Sequence, residues 1–193
     1  MSLQPEFEQY DSSINKTISF RKVSFEHDLN MLFVWMHQPH VIPFWNLNIP
    51  FTKYKEHLHK SLRDPHQTLR IGYLDGVPMS YWETYWAKDD IVGKHYDVHP
   101  WDQGVHLLIG PPSFLGKGYA LPLLRTIISR LFQCEKTEKV IAEPDFRNEK
   151  MIHIFQKCGF ERQKEIDLPD KRALLMYCYR ESFFRRWEDA ARS

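Results

Sequence analysis

His106 sits in the run GVHLLIG, where period-two alternation puts His106, Leu108 and Gly110 on one face and aims a titratable ring into apolar surroundings. Such a ring is either a core histidine with satisfied hydrogen bonds or a group that handles a proton away from bulk water. Asp145 follows Pro144 at the exit of a second run, KVIAEP, where loop residues face ligands more often than cores. It suits a general base, or else an anion favouring the start of the next helix. A third stretch, GPPSFLGKGYALPLLRTIISRL, places Gly116 and Gly118, with Ser113 and Lys117, ahead of a helical apolar stripe. The first N–H groups of a helix lack internal partners, and with the positive end of the helix dipole they receive an anion. Glycines let phosphate reach that backbone, so the turn reads as a pyrophosphate cradle, with a plain helix-starting turn as the alternative. It has neither the P-loop nor the G-x-G-x-x-G spacing.

Two aromatic and acidic segments, FWNLN and YWETYWAKDD, supply Trp45, Tyr81, Glu83, Tyr85, Trp86 and Asp89. Together they offer walls and carboxylates suited to an alkyl chain ending in an ammonium. Alternation puts Tyr81, Glu83 and Tyr85 on one face and Trp82, Thr84 and Trp86 on the other, so one set alone can line a pocket. Glu83 and Tyr85 are the favoured set, with Trp45 beside them, and a solvent-facing Glu83 is the alternative. His37 with His40, and His57 with His59, lack the accompanying Cys or carboxylate pattern of a zinc site, so no metal is expected.

These residues need a frame. TISFRKV alternates as a first strand, and EHDLNMLFVWMHQ repeats Leu29, Leu32, Phe33 and Met36 at helical spacing. Pro39 and Pro43 end that helix and leave PHVIPFWNLNIP as a loop, after which FTKYKEHLHKSLRD resumes helical spacing with Thr52 as its cap. Asp75-Gly76 between TLRIGYL and VPMSYWETYW predicts a hairpin. A strand at GVHLLIG, a helix at YALPLLRTIISRLF, a strand at KVIAEP and a helix at NEKMIHIFQKCGF closed by Gly159 follow, then strands at ERQKEIDL and KRALLMYCYR. The C-terminal ESFFRRWEDAARS reads as a short packed helix. The result is a mixed α/β chain with a largely antiparallel sheet.

The 193 residues suit one domain from 17 to 193, with residues 1–16, polar and patternless, as a flexible tail outside it. A net charge of +1 gives no broad footprint for nucleic acid or an anionic membrane, so the expected partner is a small molecule. Cys134, Cys158 and Cys178 are an odd number without zinc-type pairing, which points to thiols in a reducing compartment. No run approaches the roughly 18 apolar residues of a spanning helix, and the N-terminus lacks a signal-peptide layout. A cytoplasmic location is expected.

In NEKMIHIFQKCGF, Asn148, Phe155, Lys157, Gly159 and Phe160 fall at fixed offsets. A glycine-rich strand-to-helix turn, a strand, then a helix of the form N-x(6)-aromatic-x-K-x-G-F resembles the GNAT superfamily of acyl-CoA-dependent N-acyltransferases, from Thr17 to Arg180. WMHQPHVIPFW, GVPMSYWETYW, DQGVHLLIGP and EPDFRNEKMIHIFQKCGF, in that order, are similar to the branch that acylates hydroxylamines or amines in siderophore biosynthesis, including hydroxylysine acetyltransferases and lysine acyltransferases. The resemblance implies a GNAT fold, a mixed and mostly antiparallel sheet with helices on both faces. It also implies acetyl-CoA or another acyl-CoA as co-substrate, a small amine or hydroxylamine acceptor and a role in iron acquisition, in a monomer or homodimer. By the same match, coenzyme A is held by Leu108, Ile109, Gly110, Phe114, Leu115, Gly116, Lys117, Gly118, Tyr119 and Ala120, together with Asn148, Met151 and Phe155. His106 contacts the acceptor and Asp145 serves as general base, with Trp45, Glu83 and Tyr85 on the acceptor side. Many members carry Tyr at the position of Phe155 to protonate the departing thiolate; a phenyl ring cannot do so, which leaves that step to water or another group and Phe155 to packing beside the pantetheine arm. Acylation of a plain amine, such as a lysine side chain, and acyl-CoA binding without turnover are the alternatives.

Overall fold

The computed structural model describes residues 3–192. Eight strands run in the order β1-β2-β3-β4-β5-β6-β8-β7: β1 Phe7–Asp11, β2 Lys16–Lys22, β3 Gln67–Leu74, β4 Val77–Trp86, β5 Gln103–Ile109, β6 Lys139–Ala142, β7 Glu161–Asp167 and β8 Arg172–Tyr179. The helices are α1 Phe25–Met36, α2 Ile42–Trp45, α3 Phe51–Arg63, α4 Ala120–Leu131, α5 Glu149–Cys158 and α6 Arg180–Arg192. Of the described residues, those up to 84 together with 107–122 form one compact unit, and 85–106 together with those from 123 onward form another.

In the first unit β2 pairs antiparallel with both β1 and β3. Asp75 and Gly76 turn β3 into β4 with φ of 49° and 76°, the left-handed pair that a two-residue hairpin requires. Helix α1 buries Leu32, Trp35 and Met36, spaced i, i+3, i+4, and α3 buries Tyr54 and Leu58, spaced i, i+4. These side chains share one core with Leu69, Ile71, Tyr81 and Leu108. The buried Arg21–Asp28 pair ties β2 to α1 through two bonds of 2.6 Å, and Asp28 also accepts from the Ser24 N–H that precedes the helix.

Three expectations change here. Residues 7–11 of the expected tail form β1, because Phe7 stacks on Phe20 at 5.1 Å and Asp11 accepts the Ser13 N–H in the turn to β2. An edge strand with one anchoring ring carries too little alternation to read from sequence. The proline-rich loop holds the single helical turn α2, closed by Asn46 at φ 53°. Helix α3 starts at Phe51, so Thr52 lies inside it and Pro50 takes the cap position.

In the second unit β8 pairs antiparallel with β6 and β7. β5 and β6 pair in parallel at Gln103↔Val140 and Gly104↔Ile141. Tyr85, Ile141, Ile166, Ala173 and Leu175 form one core cluster there with Ala87 and Val92. Gly159 closes α5 at φ 118°, and α6 is packed through buried Phe183 and a 3.0 Å bond from Trp187 Nε1 to the Cys158 carbonyl. Among the described residues no helix is long and apolar enough to cross a membrane.

Candidate active site

Strand pairing fixes the central contact. Two residues beyond the Gly104↔Ile141 register come His106 and Glu143, on the same face because side chains alternate with period two. His106 Nε2 donates to Glu143 Oε1 in a close contact, and Tyr85 Oη donates to Glu143 Oε2 at 2.8 Å. The Tyr85 and His106 rings pack with centroids 4.8 Å apart. Gly104 makes room for this: a Cβ there would overlap the Tyr85 ring. Lys171, in the β7–β8 turn, holds its ammonium 3.8 Å from Glu143 Oε1.

Glu143 is 3% exposed. Burial works against its ionisation, yet the charges of His106 and Lys171 and the bonds from His106 and Tyr85 outweigh it and hold the carboxyl at about 2. Burial first, and then the Glu143 charge, push the Tyr85 phenol well above its ordinary range, so Tyr85 is a neutral donor. When the ring is neutral, the bond to Glu143 places its proton on Nε2, which makes Nδ1 the basic nitrogen of that tautomer.

Asp145 lies elsewhere in the same unit. Its backbone bridges to Ala173, and its carboxylate accepts the Arg147 N–H at 2.9 Å, Nε at 2.9 Å and Nη2 at 2.7 Å. The Arg147 bonds hold the Asp145 carboxyl below its ordinary range. The carboxylate brought onto His106 is thus that of Glu143, which the sequence reading passed over. Its signal was the register of β5 on β6, which is visible only once the two strands are paired.

In the first unit Gly116 and Gly118 take φ of 71° and 77°, both exposed, with open space where a Cβ would stand. The Phe114 and Leu115 N–H groups are used by the turn itself, bonding to Pro111 and Pro112. Those of Gly116, Lys117 and Gly118 donate no hydrogen bond among the described residues and lie immediately before α4. A run of exposed residues with undonated N–H groups at a helix start fits a phosphate group. Trp35 stacks on Gly110, and His40 Nε2 donates to the Ile109 carbonyl at 2.7 Å, so the loop after α1 is fastened to the end of β5. Trp45 packs on Tyr81 at 5.6 Å, and Tyr81 Oη donates to Glu83 at 2.8 Å.

The remaining expected cofactor residues belong to the second unit. Asn148 caps α5 by accepting the Met151 N–H, and Phe155 is buried edge-on against Phe160 at 4.9 Å. Among the described residues no group of three or more His, Cys, Asp or Glu is placed to hold a metal ion.

Comparison with known proteins gives this geometry a context. The profile of the acetyltransferase (GNAT) domain matches residues 24–168. An N-hydroxyputrescine acetyltransferase of Acinetobacter baumannii is 35% identical over 182 residues, 94% of this chain and 86% of its own length. An N(6)-hydroxylysine O-acetyltransferase of Escherichia coli is 31% identical over 92% of this chain, which spans 57% of that longer protein. Among solved structures, an uncharacterized protein from Bacillus halodurans is 52% identical with a TM-score of 0.93, covering 98% of this chain and 97% of its own. The aminoglycoside acetyltransferase AAC(6')-Ib, solved with coenzyme A and kanamycin, is 29% identical with a TM-score of 0.79 over 87% of this chain and 98% of its own. The match over most of the chain, together with a mixed and mostly antiparallel sheet whose glycine turn opens onto a helix start, makes this protein a member of the GNAT acetyltransferase family and an acyltransferase.

Proposed function

We propose that the protein transfers an acyl group, acetyl above all, from coenzyme A to the nitrogen of an N-hydroxylated diamine or N6-hydroxylysine, forming a hydroxamate for siderophore assembly in the cytoplasm. The pairing of His106 with a buried, ionised Glu143 carries the reading. The acceptor nitrogen attacks the thioester carbonyl, the carbon–sulfur bond breaks, and coenzyme A leaves as a thiolate that takes up a proton. His106 accepts the proton shed by the nitrogen, and Glu143 stabilises the imidazolium that results. A hydroxylamine is less basic than an alkylamine, so more of it is neutral at working pH and a modest base suffices.

The glycine turn receives the pyrophosphate of acyl-CoA, and Trp45, Tyr81 and Glu83 hold the acceptor tail through aromatic walls and a carboxylate. Asp145, already committed to Arg147, shapes the turn before α5, and its role as general base is the competing assignment. The names of the two curated relatives support a hydroxylated acceptor, while likeness to an aminoglycoside acetyltransferase favours a plain amine as the second reading. Coenzyme A release from acetyl-CoA with N-hydroxyputrescine, N-hydroxycadaverine, N6-hydroxylysine and their unhydroxylated parents, paired with ferric-hydroxamate colour, decides between them. Thiol and colour together, restricted to hydroxylated acceptors, are expected. Thiol release without colour from plain amines assigns the second reading.

A further inference from the structure

Lys171 has no part in the chemistry above, yet it sits where a charge counts. It lies in the turn that joins β7 to β8, where Leu168 N donates to the Lys171 carbonyl at 2.8 Å. β8 then returns alongside the segment after β6, through Phe146 N to the Arg172 carbonyl at 3.1 Å and Leu174 N to the Pro144 carbonyl at 2.9 Å. Those bonds hold the turn against Glu143, and the Lys171 side chain, 14% exposed, brings its ammonium 3.8 Å from Glu143 Oε1. The groups facing the pair include Tyr85 from β4, Lys171 from the β7–β8 turn, Tyr96 from the segment between β4 and β5, and Asp145, itself held by Arg147 and within reach of the Lys171 charge.

A buried carboxylate bonded to an imidazole draws a proton onto the ring, and a ring already protonated cannot accept another. A cation on the same carboxylate offsets that pull. With Lys171 present, a neutral His106, an anionic Glu143 and a cationic Lys171 sum to zero across these three groups, which favours the neutral ring. We propose that Lys171 is a positioning residue whose ammonium charge keeps the His106 ring neutral at working pH. The proposal rests on the reading of His106 as the proton acceptor.

The test separates the two. The His106 ring is titrated by NMR in histidine-labelled protein, assigned by its absence in His106→Asn, for the wild type, Lys171→Met and Lys171→Arg. Lys171→Met keeps the apolar stem and removes the charge, and Lys171→Gln serves if the methionine does not fold. In either neutral variant the ring is expected to titrate on the order of one pH unit higher than in the wild type. Lys171→Arg is expected to stay close to the wild type. A midpoint that stays put or falls in the neutral variants overturns the proposal, as does one raised equally by Lys171→Arg. The acidic limb of kcat/KM, measured on one acceptor for all variants, is expected to follow the ring. A ring that moves while the limb does not leaves the role of Lys171 standing and removes His106 as the proton acceptor.

Discussion

At the scale of single residues, the site depends on which carboxylate meets His106. If Glu143 orients the ring, His106→Asn and Glu143→Gln each lower kcat about a hundredfold or more, and Asp145→Asn much less, because its carboxylate serves an arginine whose side chain is 61% exposed. Steady-state kinetics of the three variants check this, and an equal loss in Asp145→Asn moves the base to that residue. Glu143 also ties stability to pH. Its carboxyl is held at about 2 in the folded chain against 4.5 for the unperturbed group. A folded value below the unfolded one means stability that is present above the unfolded value and lost as pH falls through the folded one. The urea midpoint of the wild type is therefore expected to fall more steeply than that of Glu143→Gln between about pH 5 and pH 2.

At the scale of elements, two glycines act at different places. Gly104 gives up its side chain so that the Tyr85 ring reaches Glu143 from β4. Gly104→Ala is expected to cost about 1–3 kcal/mol by overpacking and to lower kcat by displacing the phenol, measured by urea unfolding and initial rates. Gly118 precedes α4 at φ 77° with nothing near its missing Cβ, so alanine there meets no clash and only backbone strain of about 1–2 kcal/mol. Relief of that strain re-aims the N–H groups. The expected result is a higher KM for acyl-CoA with little change in kcat at saturation. Both glycines lie in segments whose character was legible, a strand and a glycine turn, and the DG hairpin and the Gly159 closure likewise appear where local chemistry demanded them. β1 and α2 did not, because each depends on a partner distant in sequence, Phe20 for Phe7 and Tyr81 for Trp45.

At the scale of the whole molecule, ligand binding and folding are linked. Coenzyme A at a hundred times its dissociation constant is expected to stabilise the chain by about 2.7 kcal/mol, which for this size raises Tm by roughly 5–10 °C. Pantetheine, which lacks the pyrophosphate, is expected to give a much smaller shift in the same thermal melt. An equal shift from both would leave the glycine turn without an anion to bind. The near balance of charge, +1 over 193 residues, places recognition in local devices rather than in a long-range field.

The amino-acid sequence by itself determined the alternation of strands and helices, the glycine turn at the start of α4, the family and the candidacy of His106, because periodicity, turn chemistry and motif spacing are local properties. The carboxylate partner of His106 was decided by tertiary structure alone. Glu143 and Asp145 are two residues apart and equally acidic in composition, and only the register of β5 on β6 puts one against the imidazole, while the return of β8 along residues 144–146 leaves the other to Arg147. A register is a property of pairs of strands remote in sequence, and a shift of one residue reverses every side chain it carries.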